Sequence, residues 1–569
     1  MGDRGSKGQA KPDWVSQLAD RVMRRFERQD PQPGQKVVCA SGVSPSGPIH
    51  LGNLRELMIP HFVAEELLQR GVDAEHLISW DDYDRLRKVP AGVDERFAEF
   101  IGQPLTAVPD PLGSLPSWAD RFKAPLQAAM GDLGVELREI SQTTMYHDGA
   151  YRRPIITALE QRHAINDVLG RFRTLETGGA EGDEAPPPTE AEDGGDELSE
   201  NYWPYKVYCQ SCHHDSTEII GIEQEGDHYW VAYRCLGCGH QARFDLNQEN
   251  HGKLVWKVDW PMRWAYEGVT FEAAGADHSS PGSSFSVGSE LVGAVFDGHP
   301  PEYEAYSFVG YKGSGKMSSS TGAVPTPLDA LRVLEAPILR WMYVRKTPRQ
   351  TIPVDLEAGI HSLYDEWDAL GRKVANGEAA PSQVVTYDRA RRTCRGGELV
   401  GPVSVVPFRT LASAVSVAAG DDAQLRRIVS ELSGIAAADV AGTEPRLTRA
   451  RQWIDELAPE SERIVVRTAP DQDRLAVLSE LESNWLELML AHLDDDWSLE
   501  GARTLVYGVP KMAADLPLDT PPTPELKSEQ RAFFVLLYEL FLSADTGPRM
   551  PTLLMALGQA RVRELLAVH

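Results

Sequence analysis

The chain has 569 residues, of which 42% are hydrophobic and 25% are charged, so we expect several globular domains. No apolar run approaches the roughly 18–20 residues that span a bilayer, and residues 1–11 lack the apolar segment of a signal peptide. We therefore expect a cytoplasmic protein with no membrane partner. The net charge of −27 argues against a general nucleic-acid binder, although a basic patch on an acidic body would still select one polyanion.

The first predicted elements form a β-α-β unit. Residues 36–41 are predicted as a strand, residues 54–70 as a helix and residues 76–80 as a second strand. The crossover between the strands should be right-handed, and such sheets bind ligands beyond the carboxyl ends of their strands. We therefore expect the Gly-containing turn at residues 44–53 and the acidic segment Asp81–Asp84 at one edge of the sheet.

The rest of the chain is predicted to contain an insertion and then mostly helices. A helix is predicted at 155–173, and strands return at 254–258 and 303–309. Residues 177–201 are rich in Gly and Pro, and nine acids with no base lie within 181–200, so we predict a disordered loop there. The later helices are predicted at 328–343, 361–374, 423–437, 474–493, 530–542 and 551–566.

The turn before the first long helix has the residues of a phosphate site. Gly47 and Gly52 allow the backbone to approach a ligand closely, and the start of the helix offers unpaired N–H groups to an anion. His50 and Asn53 are candidate donors to phosphate oxygens. The simpler interpretation is an ordinary strand-to-helix turn with a capping asparagine.

A second candidate segment is the Gly-flanked loop around Lys316-Met317-Ser318-Ser319-Ser320. Phosphoryl transfer requires charge stabilisation, which a mobile lysine supplies. The simpler interpretation is a basic surface loop. Together, the turn and this loop predict a site that binds a nucleoside triphosphate from two sides.

Four of the six cysteines form two C-x-x-C pairs, Cys209 with Cys212 and Cys235 with Cys238, separated by 22 residues. Four thiolates at this spacing are typical of a closed, structural Zn²⁺ site. The alternatives are four buried free thiols or a redox pair. Cys39 lies in a predicted strand and is expected to be a core residue.

The two candidate nucleotide segments resemble the "HIGH" and "KMSKS" motifs of class I aminoacyl-tRNA synthetases, here His50–Asn53 and Lys316–Ser320. Further stretches resemble the class I lysyl-tRNA synthetase family: Asp81–Pro90, Trp256–Trp264, Gly275–His278 and Gly547–Arg549. Two positions depart from that family. Ala276 stands where a lysine is expected, and Ser283-Ser284-Phe285 stands where Gly-Ser-Tyr is expected.

The resemblance implies an α/β fold, with a Rossmann-type parallel-sheet catalytic domain interrupted by a zinc-binding insertion and followed by an all-α anticodon-binding region. The implied boundaries are 14–165 for the first catalytic half, 166–251 for the insertion with its acidic loop at 177–201, 252–325 for the second catalytic half, 326–375 for a helical junction and 376–569 for the anticodon-binding domain.

The resemblance also implies a reaction. Lysine would be activated by ATP to lysyl-adenylate and transferred to the terminal ribose of tRNA(Lys), with Mg²⁺ on the triphosphate and a monomeric enzyme favoured. His50, Asn53 and Lys316 would be catalytic. The implied ATP contacts are Ser46, Gly47, His50, Gly52, Asn53, Lys316, Met317, Ser318 and Ser319.

A lysine substrate needs carboxylates or aromatic faces around its ammonium group. The candidates are Ser44, Asp81, Asp82, Asp84, Trp256, Trp260, Asp277 and His278. The alternative interpretation is that the tryptophans belong to the core and the acids cap helices.

Two other functions remain open from the sequence. The first is a class I synthetase relative with another amino-acid specificity or a non-tRNA acceptor, which the Ala276 departure supports. The second is a zinc-containing tRNA-binding protein without catalysis, although such a protein has no need for the loop around Lys316.

Overall fold

The computed structural model describes residues 13–177, 202–276, 283–311, 324–394, 396–418, 420–463 and 465–567. The described residues form two compact units. The first draws on Met1–Leu331, Leu339–Val354 and Ala380–Leu399, and the second on Arg332–Ile338, Asp355–Ala379 and Val400–His569. The acidic stretch at 181–200 lies outside the described residues.

A five-stranded parallel sheet is the centre of the first unit, with the strand order β10-β9-β1-β2-β3. The described strands are β1 (Val37–Val43), β2 (Ala74–Trp80), β3 (Arg138–Ser141), β4 (Tyr205–Val207), β5 (Thr217–Glu225), β6 (His228–Cys235), β7 (Gln241–Asp245), β8 (Gly252–Leu254), β9 (Val269–Gly275), β10 (Glu302–Tyr306), β11 (Val309–Tyr311) and β12 (Ile352–Val354). The strand order reverses between β1 and β9, and such a switch point is where open α/β sheets bind ligands.

Helices cover both faces of this sheet, as parallel sheets require. The helices before β10 are α1 (Trp14–Arg28), α2 (Leu51–Gln69), α3 (Trp118–Asp132), α4 (Gln142–His147), α5 (Arg152–Glu160), α6 (Arg162–Thr177), α7 (Trp256–Glu267) and α8 (Ser284–Phe296). Val37 and Cys39 of β1 pack with α1 and α2, whereas Val38 and Ala40 pack with α7 and α8. This two-sided core confirms the Rossmann-type parallel fold.

The carboxyl ends of β1 and β2 are level. Val43 is in register with Trp80, and the Asp81 N–H donates to the Val43 carbonyl at 3.0 Å. The turn that follows β1 and the acids that follow β2 therefore begin at the same edge of the sheet, as the sequence predicted.

The strand predicted at residues 254–258 is wrong. Strand β8 ends at Leu254, and helix α7 begins at Trp256. The aromatic and β-branched residues favoured a strand locally, but spacing by four places Asp259 and Arg263 on one side of a helix, where they form a buried ion pair. The tryptophans at 256, 260 and 264 share the same spacing.

The insertion contains a small antiparallel sheet with the order β5-β6-β7, and strands β4 and β8 pair antiparallel where the chain enters and leaves it. The cysteine pairs lie in the turns beside β6: one precedes β5, and the other begins at the last residue of β6. The long separation between the two pairs in sequence is therefore spanned by a β-hairpin.

The second unit is helical, and the part of it that the structure describes contains no strand. The remaining helices are α9 (Pro327–Val333), α10 (Ala336–Val344), α11 (Ile360–Ala375), α12 (Pro381–Arg391), α13 (Phe408–Ala418), α14 (Asp422–Ser433), α15 (Arg446–Glu456), α16 (Gln472–Leu475), α17 (Glu480–Ala491), α18 (Leu499–Ala513), α19 (Pro524–Leu542), α20 (Met550–Leu557) and α21 (Gln559–Leu566). The all-α C-terminal region is thus confirmed.

Four predicted helices are each divided in two, and the first of them, predicted at 155–173, breaks at Gln161 between α5 and α6. The helix predicted at 328–343 breaks before Pro337, which lacks an N–H and therefore begins a helix more readily than it continues one. The helix predicted at 474–493 restarts at a capping box on Ser479, and the one predicted at 551–566 breaks at Gly558. None of the described helices combines the length and the apolar composition that a membrane crossing needs.

A buried arginine organises the second unit. Arg446 is 1% exposed and bonds Glu335 at 2.6 Å and both oxygens of Asp368 at 2.8 and 2.9 Å. The two carboxylates come from distant parts of the chain, so this ion cluster joins segments that are far apart in sequence.

Candidate nucleotide and amino-acid site

The turn after β1 ends in a capping box at the start of α2. The Nδ1 atom of His50 accepts from the Gly52 N–H at 3.0 Å, and Oδ1 of Asn53 accepts from the His50 N–H at 3.2 Å. Capping groups are therefore present here, as the simpler interpretation of this turn expected. The same bonds also determine which nitrogen atoms of the two side chains are donors.

Because Nδ1 of His50 accepts a hydrogen bond, the neutral ring carries its proton on Nε2. Because the amide oxygen of Asn53 accepts the cap bond, its Nδ2 group presents only donors. Both side chains thus offer N–H groups beside a helix N-terminus, where the dipole also favours an anion. This arrangement is suited to phosphate oxygens.

Contacts from later segments hold the turn in place. The indole N–H of Trp118 donates to the Ser46 carbonyl at 3.2 Å, and the hydroxyl of Tyr343 donates to the Leu51 carbonyl at 2.7 Å. The Leu51 N–H donates to the carbonyl of Pro325 at 3.1 Å. The chain just after the lysine loop therefore touches the turn directly.

Five main-chain carbonyls surround the buried guanidinium of Arg55, one turn further along α2. They belong to Ser307, Phe308, Thr347, Pro348 and Gln350. Burial is the main cause that lowers the pKa of Arg55 to about 10. Segments on both sides of the lysine loop are thus attached to α2. The loop residues Lys316, Met317, Ser318 and Ser319 lie outside the described residues.

The three acids after β2 are each paired with a cation of the protein. Asp81 bonds Arg263, Asp82 bonds Lys123, and Asp84 bonds Lys253. Asp82 also accepts hydrogen bonds from the Ser141 hydroxyl at 2.7 Å and from the Thr143 N–H at 2.8 Å. These carboxylates therefore reach the edge of the sheet with their charge already compensated.

Burial affects two of these acids differently. Burial raises the pKa of Asp81, with Arg263 acting against it. Burial would also raise the pKa of Asp84, but the Lys253 ammonium outweighs it, so that pKa lies below its usual value. Asp84 is thus held in its ionised form by Lys253 of β8, the strand in which the insertion ends.

Aromatic rings from α7 cover a small cavity of about 30 Å³ beside β1 and β9. The rings of Trp256 and Trp260 stack at 5.2 Å with an interplanar angle of 16°. The indole N–H groups of Trp260 (at 3.0 Å) and Trp264 both donate to Oε2 of Glu272. Glu272 is 6% exposed, and burial raises its pKa to about 7 against those two hydrogen bonds.

Glu272 lines this cavity, and the sequence interpretation missed it. It lies inside the apolar run from Val269 to Ala274, where a charged residue in an otherwise buried strand was the available signal. Gln142 of α4 also lines the cavity and was missed, since nothing local distinguishes it.

The remaining predicted residues of the lysine pocket have different surroundings. Ser44 is exposed at the edge of the sheet, and Asp277 and His278 lie outside the described residues. Ala276, one of the two departures from the resembled family, is exposed just after β9. Phe285, which belongs to the other departure, stacks on Tyr303 at 3.9 Å and packs edge-on against Trp264.

The four cysteines of the insertion converge. Their Sγ atoms all lie within 4.8 Å of one another, and the four thiols are free of disulfides. Cys209 and Cys238 are 3.7 Å apart and Cys212 and Cys235 3.6 Å apart at sulfur, close to the about 3.8 Å edge of a tetrahedron with Zn–S bonds near 2.3 Å. The donor set and its spacing therefore suit a tetrahedral Zn²⁺ ion.

Comparison with known proteins agrees with this architecture. A family model described as tRNA synthetases class I (K) matches residues 12–391. The chain is 48% identical to the lysine–tRNA ligase of Streptomyces coelicolor, over 97% of this chain and 98% of the relative. It is 32% identical to the lysine–tRNA ligase of Pyrococcus horikoshii, over 98% and 99% of the two chains, and 29% identical to that of Treponema pallidum, over 98% of each.

A parallel sheet with a donor-lined helix start at its switch point is the arrangement of a nucleotide-binding enzyme. The chain belongs to the family of class I tRNA synthetases of the (K) group.

Proposed function

We propose that the protein is a lysine–tRNA ligase that activates L-lysine with ATP and transfers it to the terminal ribose of tRNA(Lys). The observation that carries the proposal is the near full-length similarity to the Streptomyces coelicolor lysine–tRNA ligase, together with family membership. As a translation enzyme it is expected in the cytoplasm. We expect a monomer, with residues 376–569 reading the anticodon.

In the first step, a carboxylate oxygen of lysine attacks the α-phosphorus of ATP. An acyl–phosphate bond forms, the bond to the β-phosphate oxygen breaks, and pyrophosphate leaves. His50 and Asn53 donate N–H groups to the phosphate oxygens, and Lys316 adds a cation from the opposite side. Ser46, Gly47, Gly52, Met317, Ser318 and Ser319 complete the proposed ATP contacts. In the second step, a ribose hydroxyl of the tRNA attacks the carbonyl carbon, and AMP leaves.

No general base is needed for the first step, because a carboxylate is already ionised at neutral pH. Catalysis is then a matter of positioning and of preorganised charge. ATP brings Mg²⁺ bound to its phosphate oxygens as part of the substrate. The Cys209, Cys212, Cys235 and Cys238 thiolates would hold a structural Zn²⁺ and so join the two turns that carry them.

Amino-acid-dependent ATP–pyrophosphate exchange tests the proposal. Each standard amino acid is assayed with the purified chain, in the presence and absence of tRNA, and lysine should be the substrate that supports exchange. Charging of tRNA(Lys) with labelled lysine tests the second step. Exchange with another amino acid would establish the altered-specificity alternative, and tRNA binding without any exchange would establish the non-catalytic one.

A further inference from the structure

The cavity under the tryptophans of α7 has an unusual balance of polar groups. Besides Glu272, it is lined by Gln142 and Glu267, and the Oε1 atoms of these two are buried with no hydrogen-bond partner among the described residues. Two donors, Nε of Arg263 and the hydroxyl of Tyr151, are likewise buried without a partner there, and the hydroxyl can also accept. Two oxygen acceptors at the cavity therefore lack a donor.

Such a space favours a particular chemistry. An alkylammonium group has three N–H donors and no acceptor, so it can satisfy several buried acceptors at once. Trp256 and Trp260 also line the cavity, but they stack on each other and the Arg263 guanidinium lies 5.6 Å from the centroid of Trp256, so the oxygen acceptors and not the ring faces favour a cation. A carboxylate or phosphate ligand would meet the acceptors with like partial charge.

Glu272 differs from the acids of the neighbouring strand end. Asp81, Asp82 and Asp84 each have a lysine or arginine partner, whereas no ion pair to Glu272 forms within the described part of the chain. A buried carboxylate without a cation is costly, and burial accordingly raises its pKa to about 7. A cationic ligand would remove that cost.

The size of the cavity limits the ligand. About 30 Å³ accommodates roughly two water-sized groups, since each needs on the order of 10–15 Å³. A primary ammonium is of this size, but a planar guanidinium with three nitrogens is larger. The cavity also borders Gly42 of β1, two residues before Ser44 at the edge where the turn begins.

We infer that Glu272 is a specificity-determining residue, whose carboxylate receives the side-chain ammonium of the amino-acid substrate within this cavity. The inference rests on the proposed function and deepens it, because it names the group that distinguishes lysine from neutral and guanidinium-bearing amino acids.

The Glu272→Gln variant separates charge from structure. A glutamine keeps a carbonyl oxygen to accept from both indoles but removes the negative charge. In ATP–pyrophosphate exchange we expect the KM for lysine to rise about ten- to hundredfold, the range of a hydrogen bond to a charged group. The KM for ATP should stay within about twofold, whereas a merely structural defect would disturb both substrates.

Glu304→Gln is the matched control. Glu304 is also a buried carboxylate, on the adjacent strand β10, but it bonds Arg21 and does not line the cavity. This variant should lose stability while keeping the wild-type KM for lysine. An unchanged lysine KM in Glu272→Gln would overturn the inference.

A measurement on the wild-type enzyme covers the case in which Glu272→Gln does not fold. 6-Hydroxynorleucine replaces the ammonium of lysine by a hydroxyl at the same chain length. Its inhibition constant in the exchange assay should be at least about tenfold higher than the KM for lysine. An inhibition constant equal to that KM would refute a charged contact. Absence of any lysine-dependent exchange by the wild type would instead refute the proposed function itself.

Discussion

Replacing Asn53 by aspartate separates the two tasks that this side chain performs at the start of α2. Its Oδ1 atom accepts the His50 N–H at 3.2 Å, which stabilises the helix, and its Nδ2 group is left to donate to phosphate. Aspartate keeps the first interaction and abolishes the second. It also places a negative charge where the triphosphate is proposed to bind.

The expected magnitudes follow from this geometry. An acidic group near a helix N-terminus contributes about 0.3–1 kcal/mol, so Asn53→Asp should fold at least as stably as the wild type. Asn53→Ala loses the cap acceptor and should cost about 1 kcal/mol. Loss of one preorganised donor reduces turnover by roughly a hundredfold or more, and the added repulsion in Asn53→Asp should make it the less active variant.

Lysine-dependent exchange and urea unfolding, measured on the two variants side by side, test this reasoning. We expect stability in the order aspartate at or above wild type, then alanine, and activity in the order wild type, alanine, aspartate. If Asn53→Asp kept more than about a third of wild-type exchange, the side chain would be a cap only and the proposed phosphate contact would be refuted.

Three further predictions concern other parts of the chain. Lys316→Ala should reduce exchange by roughly tenfold or more, and near wild-type exchange would exclude its proposed role. Cys238→Ser should lower bound zinc, measured by elemental analysis, from one ion per chain towards zero, while Cys39→Ala, at a cysteine outside the cluster, should retain it. Arg446→Met should lower the free energy of unfolding by about 3–5 kcal/mol, because it leaves two buried carboxylates without their cation. Arg503→Met, at an exposed arginine, should lower it by less than about 1 kcal/mol. Equal losses in the two variants would contradict the argument that the buried cluster stabilises the second unit.

The local sequence was sufficient to predict β1, the turn at residues 44–53 and helix α2. The apolar run of β1, two glycines and a polar helix start follow one another without interruption, and each specifies its own conformation. The convergence of the four cysteines was equally predictable, because metal-type spacing implies it. The strand predicted at 254–258 failed because aromatic content was given more weight than the spacing by four of Asp259 and Arg263.

Pairings over long distances could not be read from the sequence. Lys123 meets Asp82 across 41 residues and Lys253 meets Asp84 across 169, and no local pattern announces either partner. The hydrogen-bond partners of Glu272 could likewise not be predicted from its local sequence. No strand was predicted at β9, and the indoles that bond Glu272, those of Trp260 and Trp264, lie beyond the strand that was predicted at 254–258.

These pairings also explain how one edge of a sheet can serve two oppositely charged substrates. Asp81, Asp82 and Asp259 are buried carboxylates and Asp84 is a half-buried one, and Lys123, Lys253 and Arg263 are the cations among them.

Without those cations, the carboxylates would repel the triphosphate through a medium of low effective dielectric constant. When those cations are present, the electrostatic field at the turn is determined mainly by the N-terminus of α2 and by the N–H donors of His50 and Asn53. Both favour phosphate. On the other side of β1, Glu272 has no ion-pair partner among the described residues, and a bound ammonium group would hold it in its ionised form. The sheet therefore presents a positive end to the nucleotide and a negative cavity to a cationic amino acid, and Glu272→Gln should weaken only the second.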